Sequence, residues 1–365
     1  MNQRASITGW GKCLPPARLT NHDLATVLDT SDEWIRNRTG IGSRYVSHVA
    51  TTELARVAAQ RALAAAGRDP MDIDCLILAT CSPDTLVPCA AAELQRKLGC
   101  KNAATFDLNS GCTGFVYALA NAAGLIASGQ QQRILVVAAE RLSFYMDWTE
   151  RDVAALFGDG AGAAIIEADT NEDVGILAWS MGCDGNAADA LKVADFGADP
   201  NNTRGSAPFD FYFDGREIFR NAVHGMADTS REALAKANLD LDDVDLVIPH
   251  QANLRIIEAV ARALELTTPP FSNIEHYGNT SAASIPIALC EALEQDRVQA
   301  GQLILFTAFG AGLTRASMLV RWGPRTKPLG QSKAELAACE CSGLELIAPA
   351  VAACRAKRGG HSMHS

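Results

Sequence analysis

Three landmarks recur along this chain at a nearly constant interval, and that repeat limits the fold more than any other feature. A helix-forming stretch closed by Gly67 runs into Asp69-Pro-Met-Asp-Ile-Asp-Cys-Leu-Ile-Leu78. Another, closed by Asn238, runs into Asp240-Leu-Asp-Asp-Val-Asp-Leu-Val-Ile248, an offset of 171 residues (69 to 240). The apolar run starting at Arg133 pairs with that starting at Gln302, and the helix start at Cys112 with Ser281, both at 169. Each copy ends in a Gly-rich turn between apolar runs, Phe157-Gly-Asp-Gly-Ala-Gly162 and Phe309-Gly-Ala-Gly312. Apolar strands alternating with helices predict a duplicated α/β fold with two mostly parallel, doubly covered sheets. A dyad between the copies would bring equivalent helix starts to one pocket. The organisation expected is one half over 1–174, a second over 175–323, and an extension over 324–365 with a helix at 332–357 and a disordered end at 358–365. The polar, Gly/Asn/Asp-rich stretch 184–215 reads as a long functional excursion.

Composition narrows the setting. The 365 residues are 48% hydrophobic and 20% charged, which is globular. Eleven cysteines without regular spacing fit a reducing compartment better than a disulfide framework. No Cys/His grouping has zinc-ligand spacing, so no metal is expected. A net charge of −10 argues against nucleic acid as a general partner. The N-terminal residues carry no signal-peptide core, and no apolar run approaches membrane-spanning length. A cytoplasmic protein with no membrane partner is expected.

The candidate chemistry lies at the ends of apolar runs. Thr105 to Leu108 reads as a strand, Asn109-Ser110-Gly111 as a turn, and the stretch from Cys112 as a helix apolar on all sides. A thiol at a helix start meets unpaired N–H groups and the positive dipole end, which favour a thiolate. His250 ends the run Asp245 to Pro249, and Asn279 precedes the second-copy helix. The carboxyl ends of parallel strands are where α/β sites assemble. A Cys, a His and an Asn in one pocket suit acyl transfer, the thiol as nucleophile and the other two as donors to an enolate or oxyanion. The backbone N–H groups of Cys112 and Ala311 are the candidate oxyanion donors. Taken singly, a strand-end His is more often structural than catalytic, and an Asn in Gly-Asn-Thr-Ser is most often a turn or N-cap residue.

The residues around Cys112, with Pro249-His-Gln-Ala-Asn-Leu-Arg-Ile256 and Gly278-Asn-Thr-Ser-Ala-Ala-Ser284, resemble the 3-oxoacyl-[acyl-carrier-protein] synthase III family of the thiolase fold. Asp29-Thr-Ser-Asp-Glu-Trp-Ile35, Arg38-Thr-Gly40, Trp148-Thr-Glu-Arg151 and Phe157 to Gly162 are similar too, so the likeness spans about 1–323. It implies a homodimer of five-layered αβαβα subunits with Cys112, His250 and Asn279 as the catalytic set. It implies acyl-CoA as a substrate rather than a cofactor, and malonyl-acyl-carrier protein as the partner that loses CO2 and condenses. By the same resemblance Trp34 stacks on the CoA adenine, Arg38 and Arg151 meet its nucleotide and phosphates, and Asn253 lies along the pantetheine. Val87, Phe157 and Phe309 fall at the acyl pocket. Arg220, Arg255 and Arg262 fall where the family carries basic residues, and they are expected to dock the acidic carrier protein. Three positions depart from the family's frequent residues: Val87 for Phe, Arg315 for Trp, and Ala311 for Gly, the last two expected at the pocket edge. Residues 324–365 have no counterpart in the resemblance. Other readings are a related ketosynthase or acyltransferase of secondary metabolism, a catalytically inactive scaffold subunit, and a thiol redox protein, for which no resolving Cys stands near Cys112 in the sequence.

Overall fold

The structure is a computed structural model that describes residues 3–194 and 211–361. In chain order the first half holds β1 (Arg4–Cys13), β2 (Ala17–Thr20), α1 (Asn21–Ala25), α2 (Asp32–Thr39), β3 (Ser43–Val46), α3 (Thr51–Ala66), β4 (Cys75–Ala79), α4 (Ala90–Leu98), β5 (Ala104–Leu108), α5 (Gly114–Ala127), β6 (Arg133–Glu140), α6 (Arg151–Ala154) and β7 (Gly160–Asp169). The second holds β8 (Gly175–Cys183), β9 (Leu191–Val193), β10 (Phe211–Phe213), α7 (Gly215–Ala237), β11 (Leu246–Pro249), α8 (Leu254–Ala263), α9 (Ile274–Tyr277), α10 (Ser284–Glu294), β12 (Leu303–Gly310) and β13 (Thr314–Arg321), followed by α11 (Gly343–His361).

Among the described residues two large sheets form, ordered β1-β7-β6-β4-β5 and β11-β12-β13-β8, beside the two-stranded ribbons β2-β3 and β10-β9. The first is covered outside by α3 and α4, the second by α7 and α8. Between the sheets lie α5 and α10, packed against both. This is the five-layered thiolase arrangement. The central helices are buried because they are apolar all round; Phe115, Leu119 and Ile126 of α5 are fully enclosed.

The balance of strand directions differs from expectation. Parallel pairing is confined to β6–β4–β5 and β11–β12, while β1–β7, β6–β7, β12–β13 and β13–β8 are antiparallel. A strand buried on both faces reads as a continuous apolar run whichever way it points, so the sequence pattern carries no direction. The register of the repeat also shifts by one. Gly111–Thr113 and Ser281–Ala283 form matching 3-10 turns before α5 and α10. The structural counterpart of Cys112 is therefore Ala282, not Ser281. At the other edge, only Phe271 N–H to Val247 O marks where a counterpart of β5 would lie. Pro269 and Pro270 there have no N–H to donate to a ladder.

The extension packs onto the body. Arg56 and Arg61 of α3 bind the carbonyls of Glu335 and Ala334, and Leu329 N–H binds Ala65 O. The helix expected over 332–357 begins only at Gly343 and runs to His361. Residues 332–342 are spent instead on irregular contacts along α3. The disordered end expected over 358–365 meets helix as far as His361; residues 362–365 lie outside the described residues. In the excursion, β9 and β10 pair antiparallel, and 195–210 lie outside the described residues. Among the described residues no helix is long and apolar enough to cross a membrane.

Candidate active site

Cys112 is the middle residue of the turn Gly111–Thr113, buried at the head of α5. Gly111 takes φ +57, the left-handed region open to glycine. The turn is tied to the start of β13: Thr113 Oγ1 donates to Ser110 O at 2.7 Å and lies 3.0 Å from Thr314 Oγ1, which donates to Ser110 O at 2.9 Å. Gly310 packs directly on this turn. A Cβ there would sit 2.7 Å from Cys112 N and 3.1 Å from Thr113 N. The N–H groups of Cys112 and Ala311 are thus held on touching segments. Gly310→Ala is expected to lower the rate of Cys112 acylation about 100-fold by displacing an oxyanion donor. Intact-mass time courses measure that rate, and a circular dichroism melt checks that the fold survives.

His250 follows β11, with its backbone N–H on Thr307 O. Its Nδ1 lies 2.6 Å from Ser284 Oγ, which also accepts Gln251 N–H at 3.3 Å. The Ser284 hydroxyl thus occupies Nδ1 and leaves Nε2 as the ring nitrogen open to the cavity. Burial lowers the His250 pKa to about 3 and keeps the ring neutral. A malonyl decarboxylation profile should therefore show no inflection near the usual histidine value of about 6.5. An inflection there that disappears in His250→Asn would contradict this state.

Asn279 is fixed by its backbone: its N–H binds Leu156 O at 2.9 Å and its C=O receives Gly158 N–H at 3.0 Å. Its Oδ1 accepts Ser281 N–H at 2.8 Å, so the turn role is real. That bond commits the oxygen and leaves Nδ2, a donor, for the cavity. Asn109 does the same for Gly111 in the first copy.

Cys112, His250 and Asn279 line one cavity of about 820 Å3. Phe157, Phe309, Phe213, Leu191 and Met226 form apolar wall, and the cavity runs out to Trp34, Arg38, Asn253 and Arg255. Trp34 stands between two guanidinium groups, Arg38 Cζ at 4.9 Å and Arg151 Cζ at 4.8 Å from the ring. Each exposed contact of this kind is worth about 0.5–1 kcal/mol, so a flat ligand ring can displace one. Asn253 caps α8 through Arg255 N–H and donates Nδ2 to Arg38 O at 3.2 Å. Arg220 and Arg262 are exposed beyond the cavity. Val87 is 90% exposed and does not line the cavity within one subunit. Arg315 packs between Gly182 and Gly225 beside Phe309, and neither Arg315 nor Ala311 is among the residues lining the cavity.

The ionisation expected of Cys112 is overturned. Desolvation pushes the thiol up to about 12, against the pull of the Ser281 hydroxyl and with the help of buried Glu140. A helix start favours an anion by only about 0.3–1 kcal/mol, too little to offset full burial. The resting nucleophile is a thiol. Three neighbours had escaped notice: Ser284, Glu140 and Cys81. Glu140 ends β6 and collects the hydroxyls of Thr80, Ser82 and Ser281 with the N–H of Cys81. Burial raises its pKa. A lone carboxylate closing the apolar run 133–140 was the available signal. Cys81 Sγ reaches Glu140 at 3.3 Å and Ser281 Oγ at 3.9 Å, so a second sulfur stands close to Cys112 after all.

A duplicated five-layer fold with Cys, His and Asn at one cavity defines a condensing enzyme of the thiolase class. The profile "3-Oxoacyl-[acyl-carrier-protein (ACP)] synthase III" matches residues 106–185, and its C-terminal companion matches 234–322. A Vibrio vulnificus protein named beta-ketoacyl-[acyl-carrier-protein] synthase III 2 is 51% identical over 98% of this chain and 99% of its own. The chain belongs to the 3-oxoacyl-[acyl-carrier-protein] synthase III family, and it is an acyltransferase. The crystal structure of the synthase III of Pseudomonas aeruginosa matches with a TM-score of 0.83 at 39% identity, over 89% of this chain and all of that one. The priming ketosynthase of the R1128 polyketide pathway matches with a TM-score of 0.82 at 33% identity, over 89% of this chain and 98% of its own. The extension, expected to lack a counterpart, has one: coverage of 98% carries the Vibrio match into it.

Proposed function

We propose that this enzyme starts fatty acid synthesis by decarboxylative condensation of an acyl-CoA primer with malonyl-acyl-carrier protein. One observation carries the reading: a thiol, an imidazole Nε2 and an amide Nδ2 open on one cavity whose mouth holds Trp34 and Arg38, with Arg151 beside the Trp34 ring. Cys112 sulfur attacks the acyl thioester, and its proton leaves with CoA as the free thiol. The malonyl thioester then loses CO2, and the enolate oxygen is held by His250 and Asn279. The carbanion attacks the acyl-Cys112 carbonyl, whose oxygen is held by the N–H groups of Cys112 and Ala311. Cys112 thiolate departs and takes a proton from water to return to the resting thiol, and 3-oxoacyl-acyl-carrier protein is released. The sequence needs no metal and no redox cofactor; CoA enters as substrate. Trp34 offers a stacking face and Arg38 and Arg151 phosphate forks.

The working form is a homodimer in the cytoplasm. β5 is an edge strand with Phe106 exposed, beside a loop that exposes Leu86 and Val87. Such an unpaired apolar edge is suited to pairing with its own copy. Val87 would then enter the partner's acyl pocket beside Phe157 and Phe309. Its small size admits primers longer than acetyl. Arg220, Arg255 and Arg262 dock the acidic carrier protein. Arg262 lies outside the cavity, so Arg262→Glu should weaken carrier-protein binding and leave acylation by acyl-CoA intact; equal loss of both would refute the docking role.

The test is condensation of a panel of acyl-CoAs with malonyl-acyl-carrier protein against malonyl-CoA. Preference for the carrier-bound acceptor supports the reading. Its absence favours the second one, a priming ketosynthase of secondary metabolism, which the likeness to the R1128 enzyme brings forward.

A further inference from the structure

We infer that the C-terminal helix α11 is a clamp that positions the nucleotide end of the CoA site. This rests on the reading of Trp34 and Arg151 as CoA contacts. Ile347, Val351 and Cys354 recur at helical spacing and are buried. They join the cluster formed by Leu24, Ile35, Val153 and Ala154. Ile35 lies on α2, between Trp34 and Arg38; Val153 and Ala154 lie on α6, which begins at Arg151. The helix packs on the β2–β3 ribbon and shares one apolar cluster with α2 and α6, the two elements whose outer residues are read as meeting the nucleotide.

A chain of contacts leads the same way. Arg355 donates to Val27 O at 2.8 Å. Two residues on, Asp29 O receives Arg151 Nη1 at 3.0 Å. Arg151 in turn stands 4.8 Å over Trp34. Loop 27–29 is thus pinned by the extension on one side and holds the nucleotide arginine on the other. The Pseudomonas aeruginosa enzyme matches over its full length yet covers only 89% of this chain. The shared catalytic body does not require the extension, which leaves α11 free to serve binding.

The experiment compares the full chain with one ended after Ser342, with Arg355→Ala and with Arg355→Lys. Calorimetry of free CoA reads binding, and steady-state kinetics read KM and kcat for acetyl-CoA. Acetyl-pantetheine, which lacks the nucleotide, is the control donor. Truncation should raise the CoA Kd and the acetyl-CoA KM about fivefold with kcat nearly unchanged. Arg355→Ala should move both in the same direction and Arg355→Lys restore them. Acylation by acetyl-pantetheine should not change. Unaltered CoA binding in both the truncated chain and Arg355→Ala would overturn the clamp, as would an equal loss with acetyl-pantetheine. Failure of the full chain to form acyl-Cys112 from either donor would sink the proposed chemistry, while CoA calorimetry still decides the clamp.

Discussion

Cys112→Ala is expected to abolish the covalent acyl adduct and to lower condensation more than about 10⁴-fold. The thiol is the only nucleophile among the residues lining the cavity that lies against both backbone donors, through Gly310 and the turn Gly111–Thr113. Ser281, a hydroxyl beside the thiol, is committed to Glu140 at 3.1 Å and cannot replace it. Cys81 is held protonated by burial and by Glu140. Intact-mass analysis after acyl-CoA treatment, with peptide mapping, makes the check. An adduct that persists in Cys112→Ala, or maps to Cys81, would end the assignment.

His250→Ala and Asn279→Ala should divide the reaction. Each removes one donor to the developing enolate, so each should slow malonyl decarboxylation about 10²–10³-fold. Acylation of Cys112 should continue nearly unchanged, because its oxyanion donors are backbone N–H groups. The double variant should lose less than the product of the single losses, since both side chains serve one oxygen. CO2 release and acyl-enzyme formation, measured separately, give the comparison. Loss of acylation in His250→Ala would mean that the imidazole also handles the thiol proton.

Much of this was legible in the chain. The repeat showed two α/β units because matched apolar runs and helix ends are local patterns. It missed the register by one, since Gly111 and Ser281 are matched by a shared left-handed backbone and not by residue type. Strand direction was hidden because a doubly buried strand looks alike both ways. Ser284 stood in a motif already singled out, yet its bond to His250 joins residues 34 apart. Nothing local announces such a pairing. The ionisation of Cys112 was misjudged for a similar reason: a helix start is visible in sequence, whereas desolvation depends on everything packed around the sulfur.

By itself the sequence determined the duplicated α/β frame and the family, and it singled out Cys112, His250 and Asn279, which line one cavity. These rest on residue types and short-range periodicity. Only the tertiary structure decided which atoms face the cavity: Nε2 because Ser284 takes Nδ1, and Nδ2 because Ser281 N–H takes Oδ1. It alone also laid the extension against the β2–β3 ribbon and the carbonyl of Val27. Hydrogen bonds and burial between residues far apart in the chain set those outcomes, and they exist only once the two copies have folded onto each other.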